Sequence, residues 1–83
     1  MTIPEHWTET DHLLTREFTF ANFVEAVEFV NNILPLAERA QHHPDIDIYG
    51  YKHVRVKLTT HDAGHTVTEK DTALAAEINH LLR

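Results

Sequence analysis

Alternating apolar and polar residues predict two neighbouring strands in the second half of the chain. The clearest one covers residues 52–60, where the apolar members are Val54, Val56 and Leu58. A period of two residues is typical of a half-buried strand, with one face turned to a core. In a shorter segment before it, Ile46 and Ile48 alternate with polar neighbours, and Gly50 marks a bend between the two.

A further strand is predicted over residues 13–20, near the start of the chain. Leu14, Phe18 and Phe20 share one parity there, and the segment is enriched in aromatic residues. Arg16 has the same parity, so the pattern places one charged side chain on the apolar face.

Asn22 followed by Glu25 predicts the start of a first helix, because this pair can form a capping box. Pro35 falls on the polar half, so we expect it to kink the helix without ending it. Apolar residues fill about half of the helix surface, whereas a core contact needs a stripe only a little over 100° wide. The extra width predicts full coverage of a sheet or a subunit contact. The apolar residues are Phe23, Ala26, Val27, Phe29, Val30, Ile33, Leu34, Leu36, Ala37 and Ala40.

Thr68 and Asp71 predict the start of a second helix through a similar capping pair. Its expected buried stripe consists of Leu74, Ile78, Leu81 and Leu82. The order of elements is therefore β-α-β-β-α. That order predicts an α+β fold, an antiparallel sheet with two helices packed on one face, in a single domain over residues 1–83.

Composition excludes several classes of function. The chain has 83 residues and a net charge of -6 with neutral His, which argues against nucleic-acid binding and against a polybasic membrane patch. The absence of Cys excludes disulfides and thiolate nucleophiles. No signal peptide or membrane-length apolar run is visible, so we expect a cytoplasmic protein.

Histidine is the unusual residue, with 8 in the chain. His42 and His43 follow the first predicted helix, and His61 follows the clearest strand. Imidazole titrates near neutral pH, so two such groups across a small pocket could protonate a leaving hydroxyl and remove a ring N–H proton. From the residues alone, three exposed loop histidines are the simpler interpretation.

A metal site is another interpretation of the histidine cluster. Catalytic zinc needs three protein ligands, but His42 and His43 are adjacent and would point in different directions. No His-x-x-x-His pair of the cluster lies on a predicted helix either. We therefore predict no metal.

Three further positions have alternative roles. Asp71 can cap the second helix and interact with its dipole, which is the simpler role, or it can orient a catalytic imidazole. Trp7, Tyr49 and Tyr51 can stack on a flat heterocycle or serve as half-buried aromatic anchors.

Together these residues resemble the pterin-4a-carbinolamine dehydratase family. Its signature is an acidic residue, a His-His-Pro block, an aromatic residue, a Thr-His pair and an Asp at the last helix. The matching residues here are Glu38, His42, His43, Pro44, Tyr51, Thr60, His61 and Asp71. One residue more than usual lies between Pro44 and the aromatic position, which leaves Tyr49 and Tyr51 as alternatives. The helix that usually precedes the Trp has no counterpart, so the resemblance implies a short form.

The resemblance implies dehydration of 4a-hydroxytetrahydrobiopterin to the quinonoid dihydropterin, in tetrahydrobiopterin recycling and without a cofactor. His42 and His61 would be the acid/base pair, His43 would mainly bind substrate, and Glu38 and Asp71 would be supporting carboxylates. Further substrate-binding residues would be Tyr51, Trp7 and Thr60.

The expected partners are a small pterin and further copies of the chain, as a homotetramer or homodimer, with no nucleic acid and no membrane. The alternative function is a non-catalytic binding or assembly module on the same fold. A scaffold has no reason to keep His42, His43 and His61 together, so their presence favours the enzyme.

Overall fold

The computed structural model describes residues 2–82 and confirms the predicted α+β fold. Its antiparallel sheet has four strands in the order β1-β2-β4-β3, and both helices contribute to the core on one face. The strands are β1 (Thr8–Thr10), β2 (Leu13–Thr19), β3 (Asp45–Tyr49) and β4 (His53–Leu58). The helices are α1 (Phe23–Ala40) and α2 (Glu69–His80), and a short 3-10 turn covers His61–Ala63.

The alternation in β4 sets the inner face of the sheet. Val54, Val56 and Leu58 are fully buried, whereas the polar residues between them are only partly buried. β2 pairs with β4 so that Leu14 lies opposite Leu58 and Phe18 opposite Val54. The apolar residues of both strands therefore meet on one face. The core residues from the helices are Ala26, Phe29, Ile33, Leu74, Ala75 and Ile78.

Strand β1 is absent from the sequence prediction. Its three residues are polar and fully exposed, so neither of its faces carries the apolar alternation that signals a strand. Asp11 and His12 connect it to β2, and both have positive φ, 53° and 65°. Two such residues form the tight hairpin turn whose twist matches that of paired strands. A short polar strand also blunts the edge of the sheet against pairing with another chain.

Helix α1 begins as predicted, with a variation in its cap. The Asn22 side chain accepts a hydrogen bond from the Glu25 amide at 2.9 Å, and the Glu25 carboxylate accepts one from the Ala21 amide at 3.1 Å. The helix continues through Pro35, as expected, and ends where Gln41 adopts a left-handed conformation with φ of 51°.

The wide apolar face of α1 divides into a buried part and an exposed part. Ala26, Phe29, Ile33 and Ala37 are buried in the core. Beside them runs an exposed stripe in which Phe23 is 54% and Leu34 is 60% accessible to solvent. The stripe consists of Phe23, Val27, Val30 and Leu34. Its two valines are half-buried, and Val30 packs against the edge of the core, whereas Phe23 and Leu34 are exposed.

The predicted buried stripe of α2 is wrong at its last residue. Leu74 and Ile78 are buried in the core, and Leu81 is half-buried against it. Leu82 lies beyond the end of the helix and is 45% exposed. The helical period no longer applies to a residue that follows the last turn.

Arg16 has the same parity as the apolar residues of β2, and its charged side chain is hydrogen-bonded to the side chain of Asn79. Its guanidinium donates to the Asn79 side-chain oxygen at 2.5 Å and lies 4.4 Å from the centre of the Phe18 ring. The Trp7 indole N–H donates to the same oxygen at 2.8 Å. Burial lowers the pKa of Arg16, and the nearby Glu5 carboxylate acts in the opposite direction.

No helix within residues 2–82 is long and apolar enough to cross a membrane.

The burial pattern of α2 predicts unequal costs for two identical substitutions. Leu74→Ala should lower the free energy of unfolding by about 2–5 kcal/mol, because it leaves a cavity in the core. Leu82→Ala should change it by less than about 0.5 kcal/mol, because that side chain is partly in solvent already. Urea unfolding at equal protein concentrations measures both, and equal losses would contradict the assignment of Leu74 to the core.

Candidate active site

The buried carboxylate of Asp71 connects the ends of three secondary-structure elements. It lies in the first turn of α2 and is completely inaccessible to solvent. One oxygen accepts from the Thr68 backbone amide and from the Thr60 hydroxyl, both at 2.8 Å, and the other lies 2.5 Å from His42 Nε2. Thr60 follows β4 and His42 follows α1. The three bonds therefore bring the ends of α1 and β4 to the start of α2.

His42 is positioned by the turn that ends α1. The left-handed conformation of Gln41 reverses the chain, and the His42 amide then donates to the Ala37 carbonyl at 3.1 Å. The His42 side chain is only 10% exposed. A carboxylate only accepts hydrogen bonds, so Nε2 of His42 must carry the hydrogen that it shares with Asp71. Nδ1 is then the ring nitrogen left for a ligand.

His43 and Glu38 form a second pair, which is exposed. His43 Nε2 lies 2.6 Å from a carboxylate oxygen of Glu38, and both side chains are more than half exposed. Glu38 lies in the last turns of α1 and orients His43, whereas Asp71 orients His42. The two predicted supporting carboxylates therefore contact different histidines.

His61 is the first residue of the 3-10 turn, which comes directly after Thr60. Its side chain is exposed, and its Nδ1 lies 2.9 Å from Nδ1 of His65. His65 is not among the residues that the sequence indicates for the site. His61 and His65 are four residues apart but lie in a loop segment, where no periodic pattern predicts that their side chains meet.

Four of the residues described above, His42, His43, Thr60 and His61, line one open cleft with a volume of about 180 Å³. The volume is below the roughly 300–1,000 Å³ of typical small-molecule sites, so a ligand would extend beyond what one chain encloses. Sequence reasoning missed Gln41, Asp62 and Lys70, which are polar residues without a distinctive pattern. The lining residues are Gln41, His42, His43, Thr60, His61, Asp62 and Lys70.

The structure does not bring the predicted stacking aromatics to this cleft. Trp7 is buried in the core against Phe18, and its N–H is engaged by Asn79. Tyr51 is 60% exposed in the turn between β3 and β4. Neither residue lines the histidine cleft within one chain.

Tyr49, the alternative family aromatic, is also elsewhere. It lies at the end of β3, where its hydroxyl donates to the Glu17 carboxylate. This hydrogen bond lowers the pKa of Glu17 and raises the pKa of Tyr49. The Tyr49 ring also lies beneath the Arg55 guanidinium, 4.7 Å away. The residue belongs to a polar cluster on the open side of the sheet.

Within the described part of the chain, no three His, Asp or Glu side chains are placed to hold a metal ion together. The nearest approach to such a group is Asp71 with His42, but the second oxygen of Asp71 is occupied by Thr60 and Thr68. The carboxylate is thus used in hydrogen bonds.

Comparison with known proteins links this arrangement to one family. The family model described as pterin 4 alpha carbinolamine dehydratase matches residues 1–81. A protein of a Picosynechococcus species is 49% identical over 75 residues, which cover 90% of this chain and 79% of the relative. A protein of Chloroflexus aggregans is 52% identical over 79 residues, which cover 95% and 82%. Both carry the name "Putative pterin-4-alpha-carbinolamine dehydratase".

Solved structures share the fold. A transcriptional coactivator/pterin dehydratase from Brucella melitensis matches with a TM-score of 0.83 at 33% identity, over 92% of this chain and 81% of that one. A pterin dehydratase-like protein described as a RuBisCO assembly factor in the alpha-carboxysome matches with a TM-score of 0.69 at 24% identity, over 90% and 84%. The second likeness supports the fold alone. The family match, the relatives and the shared fold together show that the chain belongs to the pterin-4-alpha-carbinolamine dehydratase family.

Proposed function

We propose that this protein dehydrates 4a-hydroxytetrahydrobiopterin, or a closely related 4a-hydroxytetrahydropterin, to the quinonoid dihydropterin. The observation that carries the proposal is the buried pair of His42 and Asp71 at a cleft that His61 also lines. Two imidazoles at one cleft supply the acid and the base that an elimination of water needs.

In the proposed reaction, the C–O bond to the 4a-hydroxyl breaks and a ring N–H loses its proton. The electron pair of that N–H bond forms the new C=N bond, and the hydroxyl leaves as water after it accepts a proton. No electrons are gained or lost overall, so the reaction needs no redox partner. The two proton transfers are the work of the protein.

The surroundings of the two histidines favour different roles. His42 contacts the buried carboxylate of Asp71, which can balance a positive charge on the ring. A protonated His42 would present Nδ1–H as the acid toward the leaving hydroxyl. Among residues 2–82, the His61 ring makes no hydrogen bond to a carboxylate, and its partner is another imidazole, that of His65. We therefore assign the base to His61.

His43 is suited to binding rather than to proton transfer. Its ring is exposed and held by Glu38 from the same chain segment, at the margin of the cleft. Lys70, also in the cleft lining, adds a positive charge at the first turn of α2. Both side chains can donate hydrogen bonds to the carbonyl and ring nitrogen acceptors of a pterin.

The alternative function is a binding or assembly module, as described for one of the proteins with this fold. Such a role would make use of surfaces, and it does not require an imidazole held against a fully buried carboxylate. Burying a carboxylate is costly unless it is fully hydrogen-bonded. The Asp71 network therefore favours catalysis as the function of this end of the fold.

The first prediction of the proposed function concerns turnover. His42→Gln, which keeps a donor for Asp71, and His61→Ala should each slow dehydration by about 10²–10⁴-fold, because each removes an acid or a base. His43→Ala should mainly raise KM. A stopped-flow assay with synthetic 4a-hydroxytetrahydropterin measures all three.

His80→Ala is the matched control, because His80 is exposed at the end of α2, outside the cleft lining. It should keep the turnover of the unmodified protein. Wild-type turnover in either the His42 or the His61 variant would show that the acid/base assignment is wrong.

The second prediction concerns metals. Elemental analysis of untagged protein should find no stoichiometric metal, because the Asp71 carboxylate already accepts three hydrogen bonds and no three ligand side chains within residues 2–82 are placed to hold a metal together. Treatment with EDTA should leave dehydration unchanged. Stoichiometric zinc together with loss of activity on chelation would contradict the proposed mechanism.

We also propose that the protein assembles as a homo-oligomer, with a tetramer favoured over a dimer. The exposed stripe of Phe23, Val27, Val30 and Leu34 supports this proposal, because its spacing of four, three and four residues is that of a helix–helix contact. Packing several copies of α1 together would remove the stripe from water. Phe29, on the buried part of the same helix, is covered by the chain itself and is therefore not available for a contact between copies.

The third prediction tests this stripe. Leu34→Glu should convert the assembly into a folded monomer of 9.6 kDa, because it places a charge inside the proposed apolar contact. Asn32→Glu, on the exposed polar side of the same helix, should leave the assembly intact. Light scattering at micromolar concentration measures both, and a monomeric unmodified protein would refute the proposal.

A further inference from the structure

The loop after β4 is closed so that residue 65 returns beside residue 61. The Thr60 amide donates to the Thr66 carbonyl at 2.9 Å, and the His65 amide donates to the Thr60 carbonyl at 3.1 Å. Gly64 and His65 both adopt left-handed backbone conformations, with φ of 81° and 58°. These two residues produce the reversal, and the hydrogen bonds fix it.

The two imidazoles then contact each other edge to face. Their Nδ1 atoms are 2.9 Å apart, the ring centres are 4.7 Å apart, and the ring planes are at 86°. Two ring nitrogens at this distance share a hydrogen bond only if one carries hydrogen and the other has a free lone pair. The contact therefore allows two arrangements, with either His61 or His65 as the donor.

A left-handed backbone at residue 65 does not require an imidazole. Glycine adopts this conformation without a steric cost, and asparagine, aspartate and histidine adopt it more readily than most residues, as His6 and His12 also do in this chain. His65 adopts it at some cost, and among residues 2–82 its side chain has one hydrogen-bond partner, His61. A strained residue whose side chain contacts a candidate catalytic group indicates a role in the site.

The other charged groups at the cleft do not perform this task. His42 is paired with Asp71, and His43 with Glu38. Asp62 and Lys70 line the same cleft, but neither makes a hydrogen bond to the His61 ring. His65 is thus the partner that the described structure provides for His61 Nδ1.

We propose that His65 is a positioning residue that accepts the Nδ1–H of His61 and so leaves Nε2 of His61 with a free lone pair for the substrate. The proposal rests on the proposed function, in which His61 is the base. The opposite direction, with His65 as donor, would put hydrogen on His61 Nε2 and occupy its only lone pair.

The direction of the hydrogen bond also suits the reaction. When His61 Nε2 takes a proton, Nδ1 keeps its hydrogen and continues to donate to His65. A hydrogen bond from a charged donor is stronger than one from a neutral donor. The contact therefore stabilises His61 more after proton transfer than before it, which is what a base needs from its support.

Nitrogen NMR of the ¹⁵N-histidine-labelled protein, at a pH where both rings are neutral, tests the assignment without any substrate. In the unmodified protein His61 should be the Nδ1–H tautomer. In His65→Gly, which adopts the left-handed conformation without strain, His61 should populate both tautomers. In His65→Asn, whose amide oxygen can accept at nearly the same place, the Nδ1–H tautomer should return.

Turnover supplies the second readout. His65→Gly should lower kcat by about 3- to 10-fold with little change in KM, since one hydrogen bond to the base is lost, and His65→Asn should recover most of it. An Nε2–H tautomer in the unmodified protein, or an unchanged tautomer or an unchanged kcat in His65→Gly, would overturn the proposal. A protein that dehydrates no pterin but shows the expected tautomers would refute the proposed function and leave the positioning by His65 intact.

Discussion

A fully buried carboxylate is the constraint on which the arrangement of this end of the fold depends. Asp71 is removed from water, and its charge is tolerated because it accepts hydrogen bonds from Thr60, Thr68 and His42 and lies at the positive end of α2. Each donor belongs to a different part of the chain. Loss of any one of them would leave a buried acceptor short of a partner, so the start of α2, the end of β4 and the end of α1 are placed by the same interaction.

This shared constraint explains why the histidines differ in environment. His42 is close to the buried carboxylate and is itself nearly buried, so its ring has one orientation. His43 and His61 are exposed, and each is held by one other exposed side chain, Glu38 or His65. A nearly buried group on one side of the cleft and exposed groups on the other suit the proposed reaction, in which the acid would be fixed while the substrate enters from solvent.

Much of the fold was predictable because burial imposes a period on the sequence. The alternation in β4 and the caps of both helices are local signals, and each appears in the structure at the expected place. Strand β1 carried no such signal, since a polar edge strand with two exposed faces has nothing to alternate. Leu82 was misplaced for the opposite reason, because its apolar character continued a pattern after the helix had ended.

The site was predictable in its residue types but less so in its contacts. The sequence leaves two alternative roles for Asp71, as the cap of α2 or as the support of a histidine. In the structure it has both, because one oxygen accepts the capping hydrogen bond and the other contacts His42. No local pattern can show that a residue does both, because the second partner is 29 residues away. The same applies to Trp7, whose aromatic ring fits a core as well as a ligand, and to His65, whose partner is defined by a loop closure.

The exposed stripe of α1 and the small cleft are connected by helix geometry. Residues four apart lie on the same side of a helix, so Glu38 follows Leu34 on one face of α1. The stripe therefore leads directly to the margin of the cleft, where Glu38 holds His43. A second copy packed along the stripe would lie beside that margin and add walls to a cleft of about 180 Å³ that one chain leaves open. Assembly and catalysis would then depend on the same helix, with its N-terminal part in the contact and its C-terminal part in the site.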